Sequence, residues 1–596
     1  MAKRIRKKKN SPDGAPLKRP QAKNTPTSSD RKLLLIRAAL IVIVGLWVFS
    51  PALNGSWLWD DDTLITKNDT VHDPSGLWKI WFEPTSSLVD YFPLTVSAEW
   101  LQWQLWQDNQ FWYHLVSLIL HLVSSLLIWR LLDKFGLHLA WLGGLLFAIH
   151  PITVESVAWI AELKNTLSLP LFLLAMCRWI DYDEKGKRED YFWALGLFVA
   201  AMLAKSTMVM FPVVILLYAW WKRGRVDLSD VRASAPFFAV SLVLGLVTVW
   251  FLHAYAIGKT AIPMGGFFSH LALAGLSLAF YFSKCFWPVG LLPIYPKWEI
   301  DPVSPVQFIP WLVLSGVLYW LWTKRAGWGR HALLGLGFFL INLVPFIGFT
   351  AASYMEFTWV MDHLLYLPLI GLIGLAVTAL GQIEQSLSGA ARLFALGLMM
   401  LVMALLAWES HWYAGIFIDQ ETLWTYTLRY NPEAWIARIN LGNIFEDRKQ
   451  LSEALVQYKL ALKSNPGSDM AHYNKGNVFV EMGRFAEAKE EYEQALRIDS
   501  SYANAHGNLG GILFRLGETS EAIEQYRLAL KLAPDDADTH ANLGVALMTT
   551  GHPKEAVEQF QQCLKISPNM PGVHQRLEEA LQQNAPKLNQ TEVRSN

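Results

Sequence analysis

The stretch "LLLIRAALIVIVGLWVFSPALNGSWLWDDDTLITKN", Leu33 to Asn68, joins a long apolar run to a loop in which Asp60, Asp61 and Asp62 follow directly on Trp57 and Trp59. An apolar run of about twenty residues is long enough to cross the hydrocarbon core of a bilayer as a helix. No small-residue cleavage site follows it, so the run is expected to stay in the chain as a membrane span. Further apolar runs lie near 111–132, 137–153, 165–181, 190–205, 207–221, 235–256, 304–323, 332–350, 360–380 and 390–408. With 33–53 they make eleven expected spans. A twelfth apolar segment, 266–290, is either a re-entrant or interfacial element or one of a hidden pair of crossings, so about 11–13 spans are expected and the topology of 257–303 stays open.

The net charge of zero hides an uneven distribution. Residues 1–32 carry Lys3, Arg4, Arg6, Lys7, Lys8, Lys9, Lys18, Arg19, Lys23, Arg31 and Lys32 against two acids, a composition expected to be a disordered cytoplasmic arm. Such an arm reads as an anchor against anionic membrane lipid, and no nucleic-acid partner is expected. Basic loops follow the second, fourth, sixth and eighth spans: Arg130 to Lys134, "DEKGKRED" at 183–190, "WKRGR" at 221–225 and "TKRAGWGR" at 323–330. By the positive-inside rule all four are cytoplasmic. The acidic loop, "HPITVES" at 150–156, Lys205, "SYMEFTWVMDH" at 353–363 and everything after residue 408 then face the other side. The tryptophan-rich loop 54–110 is expected to form amphipathic helices in the interface. Cys177, Cys285 and Cys563 are far apart among apolar neighbours and read as buried small hydrophobes, with no disulfide framework and no zinc site.

Beyond the membrane part, 33–408, the chain turns charged and alanine-rich. Pro432, Pro466, Pro534 and Pro568 fall on a 34-residue period, with Ser500 in the missing slot. Gly442, Gly476, Gly510 and Gly544, then Ala454, Ala488, Ala522 and Ala556, then Tyr458, Tyr492, Tyr526 and Phe560 keep the same period. This is the tetratricopeptide signature, an α-solenoid of helix pairs. Four full repeats are expected over 435–570 within a domain spanning 417–585, with a half-repeat near 417–434, a capping helix near 571–583 and a tail at 586–596. The small residues let paired helices approach, and the aromatic is expected to fill the groove of the next repeat. Asn440, Asn474, Asn508 and Asn542 form a further column on the first helix of each repeat. A ladder of amides there can bind the main chain of an extended acceptor polypeptide, or each amide can simply bond a neighbouring helix. The array resembles that of the nucleocytoplasmic O-linked N-acetylglucosamine transferases, in which such a ladder holds acceptor protein.

In the membrane part, Asp60 and Asp61 are candidate general bases for an acceptor hydroxyl, with a solvated helix cap as the alternative reading. Lys205 at the end of "FWALGLFVAAMLA", His114 and His121 seven residues apart, and His150 and Glu155 around a proline turn are costly at membrane depth unless they meet partners. Together they suggest a polar cavity on one side of the bilayer.

The segment "WDDDTLITKN" resembles the acidic loop of the transmembrane and tetratricopeptide-repeat-containing O-mannosyltransferases and their bacterial relatives, with Asp60 and Asp61 as the family pair and Ile65 and Asn68 in step. Similar segments follow in order: "FPLTVSAEW" at 92–100, "YHLVSLILH" at 113–121, "LLFAIHPITVESVAWIAELKN" at 145–165, "LAKS" at 203–206, "WPVGLLPIYP" at 287–296, "NLVPFIG" at 342–348 and "MDHLLYLP" at 361–368. Phe92, Leu163 and His363 stand where the family carries arginines, which bears on donor geometry, sugar choice and activity.

The resemblance implies an all-α, GT-C-like membrane bundle acting as an inverting glycosyltransferase. It would move a sugar, mannose in the family, from a polyprenyl-phosphate donor to Ser or Thr hydroxyls of extracytoplasmic proteins. Asp60 or Asp61 would accept the proton, and Lys205, His363 and His150 would bind the donor phosphate. Glu155, Asp362 and His114 would support the polar site, and the Asn440, Asn474, Asn508 and Asn542 ladder would hold the acceptor. No cofactor is implied beyond the lipid-linked donor; no metal site is assigned, and a divalent ion stays an open alternative. A non-enzymatic membrane scaffold and a lipid-linked glycan ligase are the competing readings. The expected location is a bacterial inner membrane with periplasmic repeats, with the endoplasmic reticulum membrane and luminal repeats as the alternative.

Overall fold

The computed structural model describes residues 28–83, 91–251, 264–301, 303–349 and 352–584. The arm up to residue 27 and the tail from 585 lie outside the described residues. The chain forms two compact units, Met1–Asn431 and Pro432–Asn596, and the described regular elements are helices.

Seven described helices of the first unit are long and apolar enough to cross a membrane: Gln110–Lys134, Ile160–Lys185, Leu228–Phe251, Pro305–Thr323, Trp328–Phe346, Leu369–Ser386 and Gly389–Ile418. Their outward positions are aliphatic and aromatic, as at Leu242, Leu246, Leu312 and Leu398, because lipid rather than water is the solvent they meet. The expected span 137–153 is instead a bent pair, Ala140–Ile149 and Pro151–Ala158, meeting at 56°. Pro151 has no N–H to continue the first helix and forces the preceding His150 into extended backbone, which makes the break. The run 33–53 lies on the helix Ser28–Val48 and a short turn, and 190–205 and 207–221 become helices of 17 and 13 residues, Arg188–Ala204 and Phe211–Arg223. The ambiguous segment 266–290 is one helix, Phe267–Phe286, followed by an extended strap.

The expected basic loops meet at one end of the bundle. Lys134 pairs with Asp181 at 3.0 Å, Lys222 and Arg223 with Asp183 at 2.5 and 2.8 Å, and the Trp221 indole N–H donates to His331 Nδ1 at 3.1 Å. The loop 54–110 folds as short helices, among them Asp69–His72, Gly76–Phe82 and Pro93–Trp106. The three cysteines are buried and unpaired.

In the second unit the helix pairs run Trp435–Asp447 with Leu451–Ser464, Asp469–Glu481 with Phe485–Ile498, Ala503–Arg515 with Thr519–Leu532, and Ala537–Thr549 with Pro553–Ile566, then the cap Val573–Asn584. The aromatic column packs within its own repeat rather than into the next. A Cβ on Gly442 would sit 2.5 Å from the Tyr458 ring, and on Gly476 2.7 Å from that of Tyr492. The glycine is therefore required so that the ring can lie flat on the partner helix. The expected half-repeat helix, Gln420–Tyr430, groups with the membrane unit: Trp424 packs edge-on against Trp59 at 5.1 Å and the Tyr426 hydroxyl donates to the carbonyl of Leu291 at 3.1 Å.

Candidate active site

Asp61 is fully buried, and both its oxygens accept backbone N–H groups, from Leu58 at 2.8 Å and from Ala161 at 2.7 Å. It thereby ties the acidic loop to the turn that opens the helix Leu163–Lys185. Burial holds its carboxyl well above the usual carboxylate range, against the two N–H groups that pull it down. Asp60 is exposed and follows Trp59, whose φ of +39° is a rare conformation for a bulky residue. Strain of this kind persists where surroundings over-determine it. Here the Trp59 indole is stacked on Trp159 at 5.5 Å, with Trp424 and Phe357 on its edges. Asp62 bonds Thr66 at 3.0 Å and Lys67 at 2.9 Å within its own turn, a local capping role. Asn68 caps the next helix through the N–H groups of Thr70 and Val71.

Behind this loop lies a buried polar cluster. Lys205 occupies the extended break between Arg188–Ala204 and Ser206–Met210, a break tolerated at membrane depth where backbone lines a cavity. Its Nζ donates to Asn165 Oδ1 at 2.5 Å and lies 3.8 Å from Glu162 Oε2. The Asn165 amide donates to Glu162 at 2.5 Å and to Ser156 at 3.2 Å. His363 gives its backbone N–H and its Nδ1 proton to the two oxygens of Glu155, at 3.2 and 2.9 Å, and its Nε2 lies 3.8 Å from Glu162. Lys164 reaches Glu162 at 3.2 Å. Next to His363, Asp362 accepts the Tyr295 hydroxyl with both oxygens, at 2.9 and 3.0 Å. Two lysines and a histidine therefore face two glutamates around one point, a preorganised polar centre with its charges internally matched.

The structure thus brings together Lys205, His363, Glu155 and Asp362 as the sequence suggests. His150 does not join them: its Nε2 faces the carbonyl of Cys285 at 3.1 Å and its Nδ1 accepts from Ile152 N, fixing the bend at Pro151. His114 packs against Gly55 instead, and His121 faces the Tyr366 hydroxyl at 2.9 Å. Of the positions that lack the family arginines, Leu163 and Phe92 are buried apolar side chains, and His363 is in the cluster.

Glu162, Lys164 and Asn165 are not among the site residues expected from the sequence, although three polar residues within four positions of an apolar stretch are themselves a signal. Glu99 is a second such carboxylate, 3% exposed on the helix Pro93–Trp106, and it accepts no hydrogen bond among the described residues. One turn earlier the Thr95 hydroxyl donates to the carbonyl of Ala204 at 2.8 Å, pinning this helix beside Lys205. Burial pushes the Glu99 carboxyl up to about 8, against the nearby Lys164 ammonium.

Of the asparagine ladder, two members bond neighbouring repeats. The Asn474 amide donates to Asn443 Oδ1 at 2.8 Å and that of Asn508 to Asn477 Oδ1 at 3.0 Å. Asn440 keeps an Nδ2 without a partner among the described residues, and Asn542 is exposed.

Residues 93–252 match the family model of dolichyl-phosphate-mannose-protein mannosyltransferases, and 420–469, 473–537 and 537–570 match tetratricopeptide-repeat models. The chain is similar to tetratricopeptide-repeat-containing protein O-mannosyltransferases. It is 25% identical to the human protein O-mannosyl-transferase TMTC1 over 72% of this chain and 55% of that protein. It is 22% identical to the Caenorhabditis elegans protein O-mannosyl-transferase F38B6.6 over 71% of this chain and 62% of that protein. The chain therefore spans little more than half the length of the human relative. Among solved structures, a tetratricopeptide-repeat protein titled YrrB, with an unusual peptide-binding site, is 26% identical and covers 27% of this chain and 83% of its own, with a TM-score of 0.26.

Proposed function

We propose that this chain transfers a mannosyl group from a polyprenyl-phosphate donor to Ser or Thr hydroxyls of extracytoplasmic proteins. The observation that carries the reading is the buried cluster of Lys205, Asn165, Glu162, Glu155 and His363, in a chain that matches the mannosyltransferase family over 93–252.

Asp60 accepts the proton of the acceptor hydroxyl as its oxygen attacks the anomeric carbon, in a single displacement that inverts that carbon. Asp61, with both oxygens held by backbone, is the strut that aims Asp60 rather than the base itself. The bond from the anomeric carbon to the phosphate oxygen breaks with its electron pair, and Lys205 and His363 stabilise the charge that develops there. The leaving phosphate is already an anion, so no separate acid is required. His150 has no part in this, because its ring is committed to the Pro151 bend. The repeats bind extended acceptor polypeptide, with the exposed Asn542 as the amide best placed to do so.

Mass spectrometry of secreted proteins from cells with and without the chain tests the reading. Loss of O-linked hexose without the chain is expected. An unchanged glycan profile with mislocalised envelope proteins would favour the scaffold reading, and loss of a lipid-linked glycan product the ligase reading.

A further inference from the structure

Asn342 sits at the end of the helix Trp328–Leu343 and is 1% exposed. Its Nδ2 donates to the carbonyl of Phe338 at 2.8 Å, four residues back. A carbonyl can only accept, so this bond fixes which way the amide lies and turns Oδ1 away from the helix. Oδ1 has no hydrogen-bond partner among the described residues. Asn342 lines a small cavity together with Asn165, Lys205, Thr207 and His363, between apolar walls such as Phe346 and Leu367. The cavity has room for about one water-sized group. Its polar wall otherwise holds the Lys205 ammonium, the Thr207 hydroxyl and the His363 imidazole, whose Nδ1 proton is already given to Glu155. Asn342 Oδ1 is the acceptor left open, so the group that completes the site must bring a proton to it. A bare phosphate oxygen cannot, whereas a sugar hydroxyl can, and it is of the size the cavity admits.

We propose that Asn342 is the specificity-determining residue for the transferred sugar, its Oδ1 accepting a hydrogen bond from one hydroxyl of the donor's sugar ring. The inference rests on the reading above, in which Lys205 and His363 hold the donor phosphate, because the same cavity joins them to Asn342. Sugar and phosphate are one bond apart in such a donor, so a group bound at the phosphate places its ring hydroxyls within reach. Neither the apolar character of the segment 342–348 nor its helical end requires an asparagine for packing; the amide's own bond to Phe338 satisfies only its donor side.

The test uses the full chain in membranes with synthetic polyprenyl-phosphate mannose, its single-deoxy analogues at each ring hydroxyl, and polyprenyl-phosphate glucose. The wild type is expected to discriminate against one deoxy analogue by about tenfold to a hundredfold in kcat/KM, the scale of leaving one buried acceptor without its partner. Asn342→Leu, with the same branched heavy-atom skeleton, is expected to lose activity on mannose by a similar factor and to accept that analogue as well as mannose. Equal use of all deoxy analogues by the wild type overturns the proposal whether or not the variant folds. So does an Asn342→Leu enzyme with the wild-type donor ratios, which would mean the cavity holds a structural water only. Both of those outcomes keep transfer itself intact. Absence of transfer from every polyprenyl-phosphate donor is a different result, which overturns the transferase reading and this inference with it.

Discussion

His363 Nδ1 donates to Glu155 Oε1 at 2.9 Å, a bond that crosses 208 positions of sequence and closes the buried centre of the membrane unit. Both oxygens of Glu155 are used on this one residue, through ring and backbone. Glu155→Ala is expected to leave the imidazole and the backbone N–H of His363 without a partner. Leaving a buried hydrogen-bonding group without its partner costs ~1–3 kcal/mol. A drop in melting temperature of the detergent-solubilised protein, with Glu155→Gln falling between wild type and Glu155→Ala, checks this.

Lys205→Met is expected to lower transfer by about a hundredfold to a thousandfold, the scale lost when one preorganised stabiliser of developing charge is removed. Lys205→Arg should not restore it. The ammonium meets Asn165 Oδ1 at 2.5 Å beside a cavity with room for about one water-sized group, and a guanidinium is larger and planar. Full activity in the arginine variant would contradict the site geometry.

Glu99 makes stability depend on pH. Its folded-state value, about 8, lies above its ordinary 4.5, so the buried carboxyl prefers to be neutral. The stability it contributes is complete below 4.5 and is lost as pH rises toward 8, at about 1.4 kcal/mol per pH unit at most. Lys164 from the helix Leu163–Lys185, Asp61 from the acidic loop and Tyr113 from Gln110–Lys134 are the charged or titratable groups that share its surroundings. Glu99→Gln should flatten melting temperature against pH over this window, and an unchanged slope would place the titration elsewhere.

In the repeats, Asn474→Ala and Asn508→Ala are each expected to destabilise by ~1 kcal/mol, because each removes a bond to an asparagine of the preceding repeat. Asn542→Ala should leave stability unchanged and weaken binding of an extended peptide. Thermal unfolding set beside peptide titration separates the two roles that the sequence column leaves merged.

The membrane and repeat halves were both legible in the sequence, because span length and a 34-residue period are one-dimensional signals. Bends were legible only in part. Pro151 marks a turn near the end of the run 137–153, but the 56° break and the His150 side chain that braces it come from the fold. The same holds within the site. Asp60 and Asp61 look equivalent as neighbours, and only folding shows that Leu58 and Ala161 take both oxygens of one and leave the other at the surface. Asn342 opens the stretch "NLVPFIG" but carries no charge, so nothing in the sequence marks its open oxygen. Periodicity placed the asparagine column on the right helices, while the bonds between Asn474 and Asn443 depend on the stacking of successive repeats.

Mannosyl transfer from polyprenyl-phosphate mannose to a Ser/Thr peptide, measured in membranes carrying wild type, Asp60→Asn or Asp61→Asn, decides whether Asp60 is the base. With Asp60 as the base, transfer is expected in the wild type and is lost, by about a hundredfold or more, in Asp60→Asn with the melting temperature kept, while Asp61→Asn loses both activity and stability. Transfer by Asp60→Asn at the wild-type rate would contradict that assignment.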